Sequence, residues 1–177
     1  MVMVYIFRGT TQTLNHLIFG GDTMQPSGIT IRRMREGDLD IVSELATLAN
    51  PHVTRDEYRP HIVEGLRENP DLSLVAVKDG RVIGYVQADI SDGKAILEDI
   101  AVAREYQGKG VGGMLLKEEL EALRLRGAKI IIAEVHYKCA SAIPFYYKHK
   151  FRIIGSIQDH FGIGHDAIIL KRELKVT

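Results

Sequence analysis

Residues 98–116 read EDIAVAREYQGKGVGGMLL, an apolar strand pattern followed by a short polar turn and a helix pattern. Gly108, Gly110, Gly112 and Gly113 fall where the turn meets the helix. Because glycine lowers helix stability, four glycines here indicate that the backbone must approach another group closely. Free N–H groups and the positive end of the helix dipole at such a point bind anions. The stretch therefore predicts a site for a phosphate-bearing ligand.

Length and composition predict one domain. The chain has 177 residues, of which 45% are apolar, enough for one well-buried core. Residues 1–28 lack a sustained period and are interpreted as an N-terminal extension, and residues 29–177 as the domain. With 23 basic and 23 acidic residues, no overall field favours nucleic acid or an anionic membrane. We therefore expect neither nucleic acid nor a membrane as a partner. A single cysteine excludes an internal disulfide, so we expect a cytoplasmic protein.

Around the opening stretch, strand and helix signals alternate. Residues 72–90 read LSLVAVKDGRVIGYVQADI, two β-branched runs joined by Asp79-Gly80, which is typical of a hairpin. A second turn at residues 91–93 extends this to three consecutive antiparallel strands. Before them, Asp38 is predicted to cap one helix, and Thr54 with Glu57 forms a capping-box pattern for the next.

After the glycines, the helix pattern continues to Gly127 and leads into KIIIAEV at residues 129–135. This run predicts a central strand buried on both faces, and a strand reached through a helix should lie parallel to the preceding one. A short helix near Pro144 and a final strand pair follow. The sequence thus predicts a mixed α/β fold.

Three segments resemble the GNAT superfamily of N-acetyltransferases. QGKGVG at residues 107–112 matches the Q/R-x-x-G-x-G/A signature, and AIPFYYKHKF at 142–151 resembles the A-x-x-x-Y-x-x-x-G-F segment. EVHYKCASAIPFY at 134–146 and HFGIGHDAIIL at 160–170 are similar to ribosomal-protein alanine and archaeal N-terminal acetyltransferases. The resemblance implies a twisted, mostly antiparallel sheet with one parallel central strand pair and helices on both faces. It also implies transfer of an acetyl group from acetyl-CoA to a primary amine.

The resemblance places the coenzyme A diphosphate on the backbone of the glycine segment, with a charge-assisted contact from Lys109. It places pantetheine on backbone groups that become unpaired if the preceding strand and KIIIAEV diverge after Ile100. Close packing at the helix start is the alternative explanation for the glycines. The cofactor-binding residues expected from the resemblance are Ile100, Ala101, Val102, Gln107, Gly108, Lys109, Gly110, Val111, Gly112, Gly113 and Cys139.

Two residues are predicted to be catalytic. Burial of a carboxylate in IIIAEV raises its pKa toward neutrality, so Glu134 is the predicted general base. In the resembling enzymes, the tyrosine that matches Tyr146 protonates the departing thiolate, and Tyr147 is the competing candidate. Either Glu98 or Asp99 could serve instead as the base, and strand alternation lets at most one of them face the substrate.

Tyr58, Glu98, His160 and Phe161 are expected to contact the acceptor. His160 and Phe161 stand where many N-terminal acetyltransferases have paired tyrosines, so the acceptor is the least determined part of the prediction. A protein or peptide amine is favoured. A small free amine, or a coenzyme A-binding module without activity, are the alternatives, and a homodimer is an option. The histidine spacings predict no metal site.

Overall fold

The computed structural model describes residues 23–24 and 28–174, so most of the predicted extension over residues 1–28 lies outside the described residues. The described strands are β1 (Thr23–Met24), β2 (Ile29–Arg33), β3 (Ser73–Lys78), β4 (Arg81–Ser91), β5 (Lys94–Val102), β6 (Ile130–His136), β7 (Arg152–Ile157) and β8 (Ala167–Glu173). The α-helices are α1 (Leu39–Ala49), α2 (Arg55–Glu68), α3 (Val111–Leu125) and α4 (Ile143–Lys148). The strands form one sheet in the order β1-β2-β3-β4-β5-β6-β8-β7.

Tight turns build the antiparallel part of the sheet. Asp79 and Gly80 join β3 to β4 with φ of 49° and 75°, and Asp92 and Gly93 join β4 to β5 with φ of 50° and 76°. Positive φ at both central residues gives a turn whose twist matches that of the flanking strands. The three consecutive antiparallel strands predicted from the sequence are confirmed.

Helix α3 carries the chain from β5 to β6, and these two strands run parallel. Strand β6 also pairs with β8 on its other side, so it lies inside the sheet as its β-branched run predicts. Every other neighbouring pair in the described sheet is antiparallel. The predicted sheet, mostly antiparallel with one parallel central pair, is confirmed.

The sheet separates two hydrophobic cores. Leu74 and Ala76 of β3 pack with Leu115 and Leu116 of α3, whereas Val75, between them in β3, packs on the other face with Ile62 of α2. Successive strand side chains alternate between the faces, so one strand supplies both cores. Each fully buried Leu, Ile or Val contributes on the order of 1.5–3 kcal/mol. The prediction of helices on both faces is confirmed.

The helix caps follow the sequence with one exception. Thr54 and Glu57 form the predicted capping box at the start of α2. Asp38 does not cap α1, so that prediction was wrong. Its carboxylate instead accepts two hydrogen bonds from the Arg32 guanidinium, at 2.7 and 2.9 Å, and one from Arg35 N at 2.8 Å. A bidentate ionic pair is stronger than a hydrogen bond to a neutral amide.

In the part of the chain that the structure describes, no helix is long and apolar enough to cross a bilayer.

Candidate active site

Strands β5 and β6 separate halfway along β5. Their last paired residues are Leu97 and Ala133, after which β5 continues beside β4 and β6 continues beside β8. The space between residues 98–102 and residues 134–136 is called the strand gap below. Separation was expected after Ile100, and it begins three residues earlier.

Backbone groups of β5 line the strand gap on alternate residues. Ala103 N donates to Ile83 O at 2.9 Å, so in an antiparallel pair Ala101 also faces β4, and Ile100 and Val102 face away from β4 into the gap. Val102 O accepts a hydrogen bond of 2.9 Å from the Gln107 side chain. Of the three predicted pantetheine contacts, Ile100 and Val102 therefore offer backbone groups to the gap, while Ala101 offers its groups to β4.

The glycine turn, residues 107–110, leads into α3. Gly108 and Gly110 have φ of 71° and 87°, and a Cβ atom added to either would meet no atom within 4 Å. Met114 N donates to Gly110 O at 3.1 Å, so the N–H groups of the first turn of α3 precede the helical hydrogen-bond ladder. Unpaired N–H groups beside two glycines with open space around them fit an anionic group.

Gly112 and Gly113 have a different role from the glycines of the turn. A Cβ atom at Gly112 would lie 3.4 Å from the Phe145 ring, and one at Gly113 would lie 3.4 Å from the His149 ring. Both rings belong to the α4 region. The alternative explanation, close packing, therefore applies to this second pair of glycines, which lets α4 approach the start of α3.

Two lysines place positive charge beside the glycine turn. The ammonium groups of Lys109 and Lys78 lie 5.7 and 5.8 Å from the centroid of the Tyr106 ring. Tyr106 ends the short 3₁₀ segment that precedes the glycines. The basic group predicted at Lys109 is thus joined by Lys78 from β3, which the sequence pattern did not indicate.

A cavity of about 280 Å³, called the acidic cavity below, opens where the strands separate, on the side of α1 and α2. Its walls come from the α1–α2 segment, from α2, from both separating strands and from the β7–β8 loop. The lining residues are Asn50, His52, Val53, Glu57, Tyr58, His61, Ile96, Leu97, Glu98, Glu134 and Phe161. Three residues predicted to bind substrate, Tyr58, Glu98 and Phe161, therefore meet here with the predicted base Glu134.

Glu98 is the first β5 residue beyond the last parallel pair. Its side chain lines the acidic cavity and is exposed to solvent there. Desolvation of the carboxyl by the surrounding protein, together with the negative charges of Asp99, Asp89 and Glu134, raises the pKa of Glu98 to about 7. A carboxylate with such a pKa can accept a proton near neutral pH.

Glu134 occupies the matching position on β6 and is held by the β7–β8 loop. Its Oε2 lies 2.6 Å from His160 Nε2, and both side chains keep 29% of their surface exposed. The contact brings the predicted acceptor residue His160 to the rim of the acidic cavity. Glu134 is thus positioned by a specific partner, whereas Glu98 has no such partner among the residues that the structure describes.

Asp99 points away from Glu98 and organises the cavity wall from behind. It is buried, and Asn50 Nδ2 donates to its Oδ1 at 2.7 Å. Burial raises the pKa of Asp99 to about 6, although hydrogen bonding from Tyr58 and Asn50 opposes the rise. Asp99 therefore supports two residues of the acidic cavity. Sequence reasoning missed Asn50, which ends α1 and carries no motif of its own.

Tyr146 and Tyr147 have opposite environments. Tyr146 keeps 7% of its surface exposed and packs edge-on against Phe145 and Phe151, with ring centroids 5.4 Å away in each case. Tyr147 keeps 53% exposed. Burial raises the pKa of Tyr146, so its phenol retains its proton at neutral pH. Among the described residues, no group hydrogen-bonds to its hydroxyl, which stays available as a donor.

Cys139 lies in a 3₁₀ segment after β6, and its thiol faces the end of α1. The sulfur donates to Ala49 O at 3.4 Å, and burial raises the pKa of the thiol. A neutral thiol that caps a helix is a poor nucleophile. The predicted cofactor contact at Cys139 would have to use its backbone.

Three histidines, called the histidine cluster below, lie behind Phe161. His136 at the end of β6 is buried, and its Nε2 lies 2.9 Å from His165 Nδ1. The His52 ring stacks on His136 with centroids 4.9 Å apart and an interplanar angle of 8°. Within the described residues, no group of His, Cys, Asp and Glu side chains has an arrangement that could hold a metal ion. The three residues are too far apart in the chain for spacing to reveal the cluster.

Comparison with known proteins agrees with this geometry. Residues 39–151 match the acetyltransferase (GNAT) family. An uncharacterised N-acetyltransferase of Methanocaldococcus jannaschii is 30% identical over 142 residues, covering 79% of this chain and 88% of the relative. An N-alpha-acetyltransferase of Saccharolobus solfataricus is 28% identical over 160 residues, covering 82% and 93%. The crystal structure of Ard1 from Thermoplasma volcanium superposes with a TM-score of 0.76 at 22% identity, covering 84% and 99%.

The matched range contains the glycine turn, both sides of the strand gap and Tyr146. The sheet likewise has the parallel pair and the gap that the sequence resemblance implied. The chain therefore belongs to the acetyltransferase (GNAT) family and is an N-acetyltransferase that uses acetyl-CoA.

Proposed function

We propose that the protein acetylates the α-amino group of a peptide or protein by direct attack within a ternary complex. The relative from Saccharolobus solfataricus carries the name N-alpha-acetyltransferase, which agrees with this acceptor class. The observation that carries the proposal is the placement of two carboxylates, Glu98 and Glu134, in one cavity that meets the strand gap. The pKa of Glu98, raised to about 7, agrees with it.

Proton transfer to Glu98 favours an α-amine over a lysine. An α-ammonium group has a pKa of about 8 and a lysine ammonium about 10.4. Transfer to a carboxylate of pKa about 7 is unfavourable by about 1.4 kcal/mol for the first and more than 4 kcal/mol for the second. The α-amine therefore loses its proton more readily than the lysine, whichever carboxylate accepts it. Glu134, the base predicted from the sequence, is the alternative proton acceptor.

The glycine turn and the strand gap supply a site that fits the cofactor. N–H groups of Gly108 to Gly113 would hold its diphosphate, Lys109 would add positive charge, and backbone groups of Ile100 and Val102 would bind its amide-containing arm. The bound thioester supplies the acetyl group. Tyr146 donates its proton to the sulfur as the thiolate leaves. Acid and base contribute on the order of a hundredfold to ten-thousandfold each, and alignment in the gap contributes the rest.

A small free amine is the second candidate acceptor, because of the size and charge of the acidic cavity. A volume of about 280 Å³ is near the lower limit for small-molecule pockets. Glu57, Glu98 and Glu134 all line it, so a compact polyamine would find several carboxylates there. Against this candidate, aliphatic polyamines share the high ammonium pKa of lysine.

Thiol release from acetyl-CoA tests the proposal directly. The first acceptors are short peptides with a free α-amine that differ only in the first residue, which is Ala, Ser, Gly or Met. The second are matched peptides whose α-amine is blocked by a formyl group and which contain one internal lysine. The third is spermidine. We expect kcat/KM for at least one free α-amine to exceed that for the lysine peptide and spermidine by tenfold or more. Higher kcat/KM for the lysine peptide or for spermidine would overturn the acceptor class while leaving the acetyltransferase reaction in place.

A further inference from the structure

The histidine cluster joins the two loops that enclose the acidic cavity. His52 comes from the α1–α2 segment, and His165 comes from the β7–β8 loop. Both contact the buried ring of His136, at the end of β6. Phe161, which lines the cavity, packs against His52 and His136 with ring centroids 5.1 and 5.6 Å away. The cluster thus lies directly behind a wall of the cavity.

Hydrogen bonds define how the protons are arranged in this cluster. Lys138 N donates to His136 Nδ1 at 3.1 Å, so this nitrogen carries no proton. Neutral His136 must then carry its proton on Nε2, which faces His165 Nδ1 at 2.9 Å. His136 therefore donates and His165 accepts. A proton on His165 Nδ1 would face the proton on His136 Nε2, and a second proton on His136 would face Lys138 N–H. The two hydrogen bonds together therefore require both rings to be neutral.

We propose that the neutral His136–His165 hydrogen bond is a positioning contact, which holds the β7–β8 loop so that His160 and Phe161 form one wall of the acceptor site. The proposal rests on the proposed function, because it identifies the acidic cavity as the site of the acceptor amine. His136 and His165 act through the loop and touch neither the amine nor the cofactor.

Contacts within the loop support this role. Phe161 N donates to His165 O at 3.0 Å, so the residue that lines the cavity is bonded to the residue that meets His136. His160, one residue earlier, reaches Glu134 at 2.6 Å. The loop is therefore attached to β6 at two places, one beside the predicted chemistry and one at the buried end of the strand.

The surroundings of the cluster favour the neutral forms of His136 and His52. Burial lowers the pKa of His136, the nearby His52, His165 and Lys138 lower it further, and Asp166 partly opposes them. Burial and His165 also lower the pKa of His52. The neutral form of His136 that its two hydrogen bonds require is therefore favoured at pH 7 to 8.

Two substitutions of His165 test the proposal. His165→Ala removes the acceptor atom, whereas Asn Oδ1 in His165→Asn can accept from His136 Nε2–H. Ile163→Ser is the matched control, because Ile163 is 94% exposed in the same loop. At pH 7.5 we expect His165→Ala to raise KM for a peptide with a free alanine N-terminus about fivefold to tenfold. The KM of His165→Ala for acetyl-CoA should stay within twofold of wild type. For His165→Asn and Ile163→Ser, the KM values for both the peptide and acetyl-CoA should do the same.

Amide hydrogen exchange of the β7–β8 loop, measured without any acceptor, should show protection lost in His165→Ala and kept in His165→Asn. Unchanged protection in His165→Ala would overturn the proposal even if no peptide were acetylated. Lost protection with an unchanged peptide KM would also overturn it, because the loop would then not shape the acceptor site.

Discussion

Glu98 sets the pH dependence of the proposed reaction. As a base it must be unprotonated, and its pKa is raised to about 7, so kcat at saturating substrates should rise as the pH increases through 7 and then level off. Glu98→Gln should lower kcat about a hundredfold or more and remove this ionisation from the profile. Steady-state rates from pH 5.5 to 9 provide the measurement.

Glu134→Gln and the exposed Glu44→Gln are the comparisons for this profile. We expect Glu134→Gln to raise KM for the peptide more than it lowers kcat, and Glu44→Gln to change neither. If Glu134→Gln instead removes the ionisation near pH 7 while Glu98→Gln retains it, the base is Glu134.

Tyr146 is the second residue whose role can be isolated. Tyr146→Phe keeps the ring between Phe145 and Phe151 and removes only the hydroxyl, so we expect kcat to fall about a hundredfold with acetyl-CoA affinity within twofold. Calorimetry and steady-state rates measure the two quantities. Tyr147→Phe, at the exposed neighbouring position, should retain full activity. Equal activity of the Tyr146 and Tyr147 variants would assign the proton to water.

Residue types and alternation along β5 and β6 were enough to nominate both carboxylates. They could not decide between Glu98 and Glu134 as the base, because the choice depends on distant groups. His160 reaches Glu134 from a loop 26 positions later, and the pKa of Glu98 depends on the charges around it. The histidine cluster was missed for the same reason, since His52, His136 and His165 come together only when the sheet and loops are folded.

At the scale of elements, the two pairs of glycines at the start of α3 should respond differently to alanine. Gly110 has φ of 87°, where a side chain costs about 1–2 kcal/mol, so Gly110→Ala should destabilise the protein and weaken acetyl-CoA binding. At Gly112 a Cβ atom meets Phe145 at 3.4 Å, an ordinary contact, and alanine favours a helix by up to about 1 kcal/mol. Gly112→Ala should therefore be neutral or stabilising.

Thermal unfolding and calorimetric titration with acetyl-CoA distinguish these glycine variants. A bulkier Gly112→Leu should lose stability through its clash with Phe145. Gly110→Ala with wild-type cofactor affinity would show that the left-handed residue serves only to start the helix.

Most elements were predictable because their signals are local. The two-residue turns require positive φ, which Asp-Gly pairs adopt readily. The capping box is indicated by Thr54 and Glu57 three positions apart, and the buried strand β6 by its β-branched run. Asp38 shows where local signals fail. Its sequence position suits a helix cap, but the fold brings Arg32 of β2 within 2.7 Å, and the ionic pair prevails.

At the scale of the molecule, the strand gap connects the two faces of the sheet, one of which carries the glycine turn and the other the acidic cavity. The glycine turn leads into α3, which packs in one core, whereas the acidic cavity lies beside α1 and α2, which pack in the other. Donor and acceptor can therefore approach from opposite faces and meet between β5 and β6. This arrangement suits direct transfer of the acetyl group from donor to acceptor. The thiol of Cys139 is neutral and caps a helix, so it is a poor nucleophile for an acyl-enzyme intermediate.

Glu119 of α3 makes the stability of the whole molecule depend on pH. It is fully buried, and neither carboxylate oxygen has a hydrogen-bond partner among the described residues. Burial, with a contribution from Asp71, raises the pKa of Glu119 well above 4.5. Helical spacing in the sequence indicates this burial. Glu119 lies three residues after Leu116 and four before Leu123, on the apolar face of α3.

A raised pKa means that the folded state binds this proton more tightly than the unfolded state. Stability due to Glu119 is therefore lost as the pH rises above the ordinary value of 4.5, by at most about 1.4 kcal/mol per pH unit. Glu119→Gln cannot ionise, so its advantage over wild type in urea unfolding should grow between pH 5 and pH 8. Glu44→Gln, at an exposed position of α1, should give no such trend. A constant difference between Glu119→Gln and wild type would mean that folding does not perturb the Glu119 carboxyl.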